Sequence, residues 1–230
     1  GLYYTGQKSW KTIAKEASEE RSSADSHFSG PEHCLDLGFF KRLMVPREEQ
    51  NFVDGLKAFI QNKHSLALSK FYGSTHIPDA AFIGGFISLN QNDEDRAIKF
   101  FETAVNHSDN VGEYFQKYGI QLSLAMPITE EVYVGLLPNE LGVNLGLVEA
   151  LQRKQKYDDA IALLKPLRKK YPEDIVVVLS LVELLIDAAP WDKAVSKSVV
   201  GITANVENQS EVHAAVMLYK ARALINLGMP

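Results

Sequence analysis

Six histidines, His27, His33, His64, His76, His107 and His213, and one cysteine, Cys34, are the side chains best suited to metal binding or nucleophilic chemistry. A zinc site needs such ligands at short fixed spacings, two histidines four apart on a helix or paired cysteines. The six histidines are dispersed, and His33 beside Cys34 is an isolated pair of neighbours. A phosphate-cradling loop needs spaced glycines, whereas Gly84 and Gly85 lie inside a helical pattern. No G-x-S-x-G nucleophile element occurs. Glu130 and Glu131 fall in a turn and read as solvated surface rather than an acid–base pair. Asn106 and Asn208 open N-x-S sequons, but no secretory signal accompanies them, and they read as accidental. The expectation is a chain with no catalytic centre, no metal site and no cofactor.

Bulk properties narrow the function further. A net charge of -5 lacks the basic balance of nucleic-acid binders. The longest apolar run, Ile175 to Ile186, is too short to span a bilayer and contains Glu183. A single cysteine leaves no internal disulfide and fits a reducing, cytoplasmic compartment. The opening residues, GLYYTGQKSW, lack Met and a signal peptide, and read as a fragment, a processed product or an altered start.

The stretch KYDDAIALLKPLRKKYPED, residues 156–174, carries the organisation. Stepping on by 34 residues takes Tyr157 to Trp191, Asp158 to Asp192, Ala160 to Ala194 and Ile161 to Val195. The same step takes LVEAL at 147–151 to LVELL at 181–185. Each unit then has two helical stretches separated by a polar break. Asp158 and Asp159 suit the positive end of the second helix, and Pro172 marks its close. Ala160 and Ala194 are expected at tight helix crossings. Pro166 removes a hydrogen bond to the carbonyl of Ala162, which predicts a local kink.

These residues resemble the tetratricopeptide repeat, a helix-turn-helix unit of 34 residues with small residues at helix contacts. The resemblance implies an all-α α-solenoid of stacked repeats whose concave face binds peptides. It extends towards the N-terminus, where Gly55, Ala67 and Phe71 are followed 30 residues later by Gly85, Ala97 and Phe101. The shorter step predicts a trimmed turn. Towards the C-terminus, AVMLYKARALINLGMP reads as the first helix of a further repeat, closed by Gly228. Four full units and half of a fifth result, and the apolar face left by the half unit predicts that the natural protein continues.

The repeats are interrupted. A hidden repeat between Ala97 and Ala160 would place Pro127 inside a helix, at a cost of about 3 kcal/mol. The segment instead alternates, with Ile120, Leu122, Leu124 and Met126 in one run and Val132, Val134 and Leu136 in another. Period two bounded by Gly119 and Pro138 predicts a small β insertion, a hairpin with PITEE as its turn. NVGEYFQKYG before it reads as a short helix. The predicted organisation is a tail with a flexible linker over 1–46, two repeats over 47–108, the insertion over 109–139, and two and a half repeats over 140–230. In the tail, Trp10, Ile13, Ala14 and Ala17 share a helical face, SSADSHFSGPEH reads as a linker, and Leu37 to Met44 read as a cap on the first repeat.

In this family the first helices of successive repeats line the groove. That placement gives Phe52, Leu56 and Phe59, then Phe82, Phe86 and Leu89. The later repeats give Glu149, Gln152 and Arg153, then Glu183 and Asp187, then Arg222 and Asn226. One end is apolar and needs covering, by a bound peptide or by this chain's own tail and insertion. The family's two-carboxylate clamp for acidic C-terminal peptides is missing, because Phe52, Leu56 and Ile83 occupy its positions. The expected function is a non-catalytic scaffold binding a protein or peptide in the groove, with no nucleic acid and no membrane span. The alternatives are a regulatory or accessory domain of a larger enzyme or sensor, and a homo-oligomerisation module acting through the N-terminal tail.

Overall fold

The computed structural model describes residues 26–29, 45–74, 76–127, 133–207 and 209–229. The helical readings of residues 1–25 and the cap at 37–44 lie outside the described residues, as does the turn at 128–131. Within the stretch read as a linker, Ser26–Ser29 forms strand β1. The fold is all-α with a small β insertion, built largely from helix-turn-helix pairs. The described residues group into two compact units. One is built on 45–125 and 135–150, the other on 151–229 with the inner ends of two strands.

In the first unit, α1 (Arg47–Ile60) pairs with α2 (His64–Tyr72), and α3 (Pro78–Asn90) with α4 (Glu94–Val105). Apolar spacing and caps explain these bounds. Phe52, Val53, Leu56 and Phe59 put one stripe of α1 inside. Pro78 opens α3 at a position that needs no amide hydrogen. The Asp93 carboxylate caps α4 by accepting from the Arg96 N–H at 3.0 Å. Between paired helices the chain turns through a left-handed residue, Asn62 at φ 55° and Asn92 at φ 54°. Gln155 does the same at φ 58° between α6 (Glu140–Arg153) and α7 (Tyr157–Lys170).

In the first unit, glycine meets phenyl where helices cross. A Cβ on Gly55 would lie 2.5 Å from the Phe71 ring, and one on Gly85 would lie 2.8 Å from Phe101. A Cβ on Gly146 of α6 would come within 2.4 Å of Phe101 as well. Any larger residue would force these helices apart. The 30-residue step read from Gly55, Ala67 and Phe71 is therefore a repeat of one packing unit, with Ala67 and Ala97 fully buried.

The insertion follows α4. A short helix, α5 (Glu113–Lys117), leads into β2 (Gln121–Pro127) and β3 (Tyr133–Leu136). β2 is central in a sheet of order β1-β2-β3, and β1 runs antiparallel to it with Ser26 opposite Leu124 and Ser29 opposite Gln121. Leu122, Leu124 and Met126 point inward, as the alternation requires.

In the second unit, α8 (Ile175–Ala188) packs against α7, α9 (Lys193–Ile202) and α10 (Glu211–Asn226). Its near-continuous apolar sequence suits that central place. Asp174 caps α8, accepting from Val176 and Val177 N–H at 2.9 and 3.1 Å. The helical span of α7 continues through Pro166 to Lys170. Leu218 and Ile225 on α10 are exposed, 72% and 74%.

The expectation for Ala194 fails. Ala160 is fully buried, but Ala194 is exposed. The reason is the cap. Asp192 accepts from Ala194 and Val195 N–H at 2.6 and 2.9 Å, so α9 starts after it, whereas α7 starts after Lys156. The inward small residue four positions past the cap is Ala160 in α7 and Ser196 in α9, and Ser196 is fully buried. Overpacking by Ala160→Leu or Ser196→Leu should cost about 1–3 kcal/mol in urea unfolding, while Ala194→Leu should stay within about 0.5 kcal/mol. Equal effects at 194 and 196 would contradict this helix register.

Candidate functional site

The six apolar positions expected at the groove, Phe52, Leu56, Phe59, Phe82, Phe86 and Leu89, are all buried, none more than 7% exposed. They serve as core, closed by packing within the chain. For Phe52 the covering group is the insertion. Its ring lies 5.6 Å from Tyr114 and 5.8 Å from Phe115, both edge-on, and 6.4 Å from Tyr118. Such edge contacts suit the ring quadrupoles.

Two carboxylates fix α5 at its ends. Asp79, fully buried near the start of α3, accepts from Gly112 N–H at 2.9 Å and from Tyr114 N–H at 3.4 Å. Those amides would otherwise be unsatisfied at the start of α5. Burial pushes the Asp79 carboxyl up to about 7, against the pull of these donors. Glu49 on α1 accepts from the Lys117 ammonium and the Tyr118 hydroxyl. Burial and the Glu49 carboxylate together push the Tyr118 hydroxyl well above its usual range.

The polar positions fall out differently. Tyr219 on α10 donates to Glu183 Oε1 on α8 at 3.0 Å. One turn beyond Glu183, Asp187 has its pKa raised by partial burial, and the Arg222 charge and a Gln152 hydrogen bond oppose that rise. Gln152, Glu183, Asp187 and Arg222 thus come together on α6, α8 and α10. Asp187 and Arg222 are exposed, while Glu183 is 9% exposed. Burial and the adjacent Glu183 raise the Tyr219 hydroxyl above its ordinary range. Glu149 and Arg153 are half-buried on α6 and have partners of their own. Asn226 turns elsewhere, donating to Ser196 Oγ at 2.7 Å.

The cluster can make hydrogen bonds and meet charges of either sign. Among the described residues no group of three or more His, Cys, Asp or Glu side chains is placed to hold a metal ion. No described helix is long and apolar enough to cross a membrane. Tyr219 is the cluster member that sequence reasoning missed. Its signal was the three-residue spacing to Arg222, which puts both on one helix face. Glu49 and Asp79 were missed too, because acidic residues in a first helical turn read as ordinary dipole partners.

Solved structures similar to this chain include one titled MamA AMB-1, at 17% identity and a TM-score of 0.46, covering 79% of this chain and 88% of that one. A second, a MamA RS-1 double mutant, has 12% identity and a TM-score of 0.42, covering 80% of this chain and 97% of that one. A third, MamA from residue 41 to its end from Desulfovibrio magneticus RS-1, has 12% identity and a TM-score of 0.41, with coverage of 80% and 97%. No family model and no curated protein matches the sequence.

Asp79 gives a pH test. Its folded pKa is raised above the ordinary carboxyl value, so its stabilising effect is full below about pH 4 and is lost as pH rises through about 7. The difference in unfolding free energy between wild type and Asp79→Asn should therefore shrink across that window, by up to about 4 kcal/mol. Urea titrations at pH 5 and pH 8 check it. A pH-independent difference would show that Asp79 keeps an ordinary pKa.

Proposed function

We propose that the chain is a non-catalytic protein-interaction scaffold that binds a peptide or protein segment across the first helices of its later repeats. Gln152, Arg153, Glu183, Asp187 and Arg222 are the contacts. The observation that carries this reading is the Gln152–Glu183–Asp187–Tyr219–Arg222 cluster. Three helices bring polar groups together, and Asp187 and Arg222 keep exposed charges of opposite sign. A structural core does not need charges there. A segment with its own backbone and mixed-charge side chains would find donors and acceptors already in place, which lowers the ordering cost of binding. The resemblance to peptide-binding tetratricopeptide repeats supports the same reading.

Selection of a displayed peptide library on the whole chain tests it. Selected peptides should lose at least tenfold in affinity, about 1.4 kcal/mol, on the double variant Asp187→Lys with Arg222→Glu. Retained affinity on that variant would place binding elsewhere.

A further inference from the structure

A six-residue module, Glu113 to Tyr118, lies between two glycines with left-handed backbone, Gly112 at φ 98° and Gly119 at φ 63°. Its five-residue helix is far shorter than an isolated helix needs to be stable in water. The surface of α1 and α3 therefore supplies the order. It does so with three elements of recognition chemistry. The Asp79 carboxylate takes the amides at the start of the turn. The Phe52 ring takes Tyr114, Phe115 and Tyr118. The Glu49 carboxylate takes the Lys117 ammonium and the Tyr118 hydroxyl.

We propose that this module is a ligand bound in cis, and that the α1–α3 surface beneath it is a second recognition site for a one-turn helix carrying paired aromatics followed by a lysine. Charge complementarity commits the partner's chemistry. Glu49 is 5% exposed and Asp79 fully buried, so an occupant must bring amide donors at one end and a cation at the other. A purely apolar peptide would strand both carboxylates. The glycines at its two ends let the module swing out while α4 before it and β2 after it stay in place. Because it is tethered, it competes at an effective concentration in the millimolar range. The site is therefore closed to weak ligands and open to a partner segment of the same chemistry presented at high local concentration. It is distinct from the Glu183–Arg222 cluster and does not depend on it.

The probe is a fluorescein-labelled peptide of residues 111–120, VGEYFQKYGI, followed by anisotropy on the full chain. Emptying the site with Phe115→Ser, Lys117→Ser and Tyr118→Ser together should give saturable binding, at least ~10-fold tighter than to wild type. Adding Glu49→Gln should weaken that binding by ~10-fold, the loss of a charge-assisted contact. An emptied chain with intact far-ultraviolet circular dichroism that fails to bind would overturn the proposal, as would equal binding to wild type. If the emptied chain does not fold, hydrogen exchange on wild type decides. The Gly112 and Tyr114 amides should exchange by local opening, faster than those of Phe86 and Ile87, and equal protection refutes a releasable module. Peptides selected on the Glu183–Arg222 cluster should bind the emptied chain as before, which separates failure here from failure of the scaffold reading.

Discussion

A phenyl ring laid on a glycine backbone sets the spacing of the first unit. Phe71 occupies the space a side chain at Gly55 would need, and Phe101 does so for both Gly85 and Gly146. The pairs solve one problem twice: how to bring two helices close while still burying a large apolar surface. An aromatic ring supplies the area and the missing Cβ supplies the room. The buried alanines at 67, 97 and 160, and Ser196, keep other helix faces slim for the same reason. The position of α6 rests on this arrangement, since Gly146 seats it against a ring that already serves α3.

The insertion shows how a repeat chain can tolerate buried acidic groups. Asp79 and Glu49 would be liabilities in a purely apolar interface, where an unpaired carboxylate carries a heavy desolvation cost. Each is instead met by groups from one short segment: amides for Asp79, an ammonium and a phenol for Glu49. The same segment covers Phe52. Polar and apolar requirements of the first repeat pair are thus met together by residues roughly 30 to 70 positions downstream in the chain. The carboxylates and amides fix where the segment sits, and its rings pack against Phe52.

How much of this could be read in advance varied with the strength of the local constraint. Gly55, Ala67 and Phe71 and their echo at Gly85, Ala97 and Phe101 were legible because sterics leave few residue types at a tight crossing. Strands β2 and β3 were legible because Pro127 forbids a helix and the alternation fits a pleat, whereas β1 lay in a stretch that read as a linker. Ala194 misled because the 34-residue match concerned residue types, while the start of α9 is fixed by where a side chain can cap, at Asp192. Phe52 and its fellows could not be sorted into groove or core, since the group that covers Phe52 is remote in sequence and contributes aromatic rings rather than any motif. For the polar cluster, Glu183, Asp187 and Arg222 were placed by repeat register, while Asn226 was drawn off by Ser196, a partner the register does not reveal.

Strand β1 has a consequence in time rather than in space. The helices of each repeat meet neighbours close in sequence and can pair as soon as both exist. Ser26–Ser29 must wait for Gln121 to Leu124, about 100 residues later. At a synthesis rate of roughly 5–20 residues per second, that interval is on the order of 5–20 s. Through it the strand has been made but its place in the sheet has not, and its backbone donors and acceptors are open to any other extended chain nearby. The order in which this protein is synthesised therefore leaves β1 waiting while the helices of the first two pairs are already able to meet.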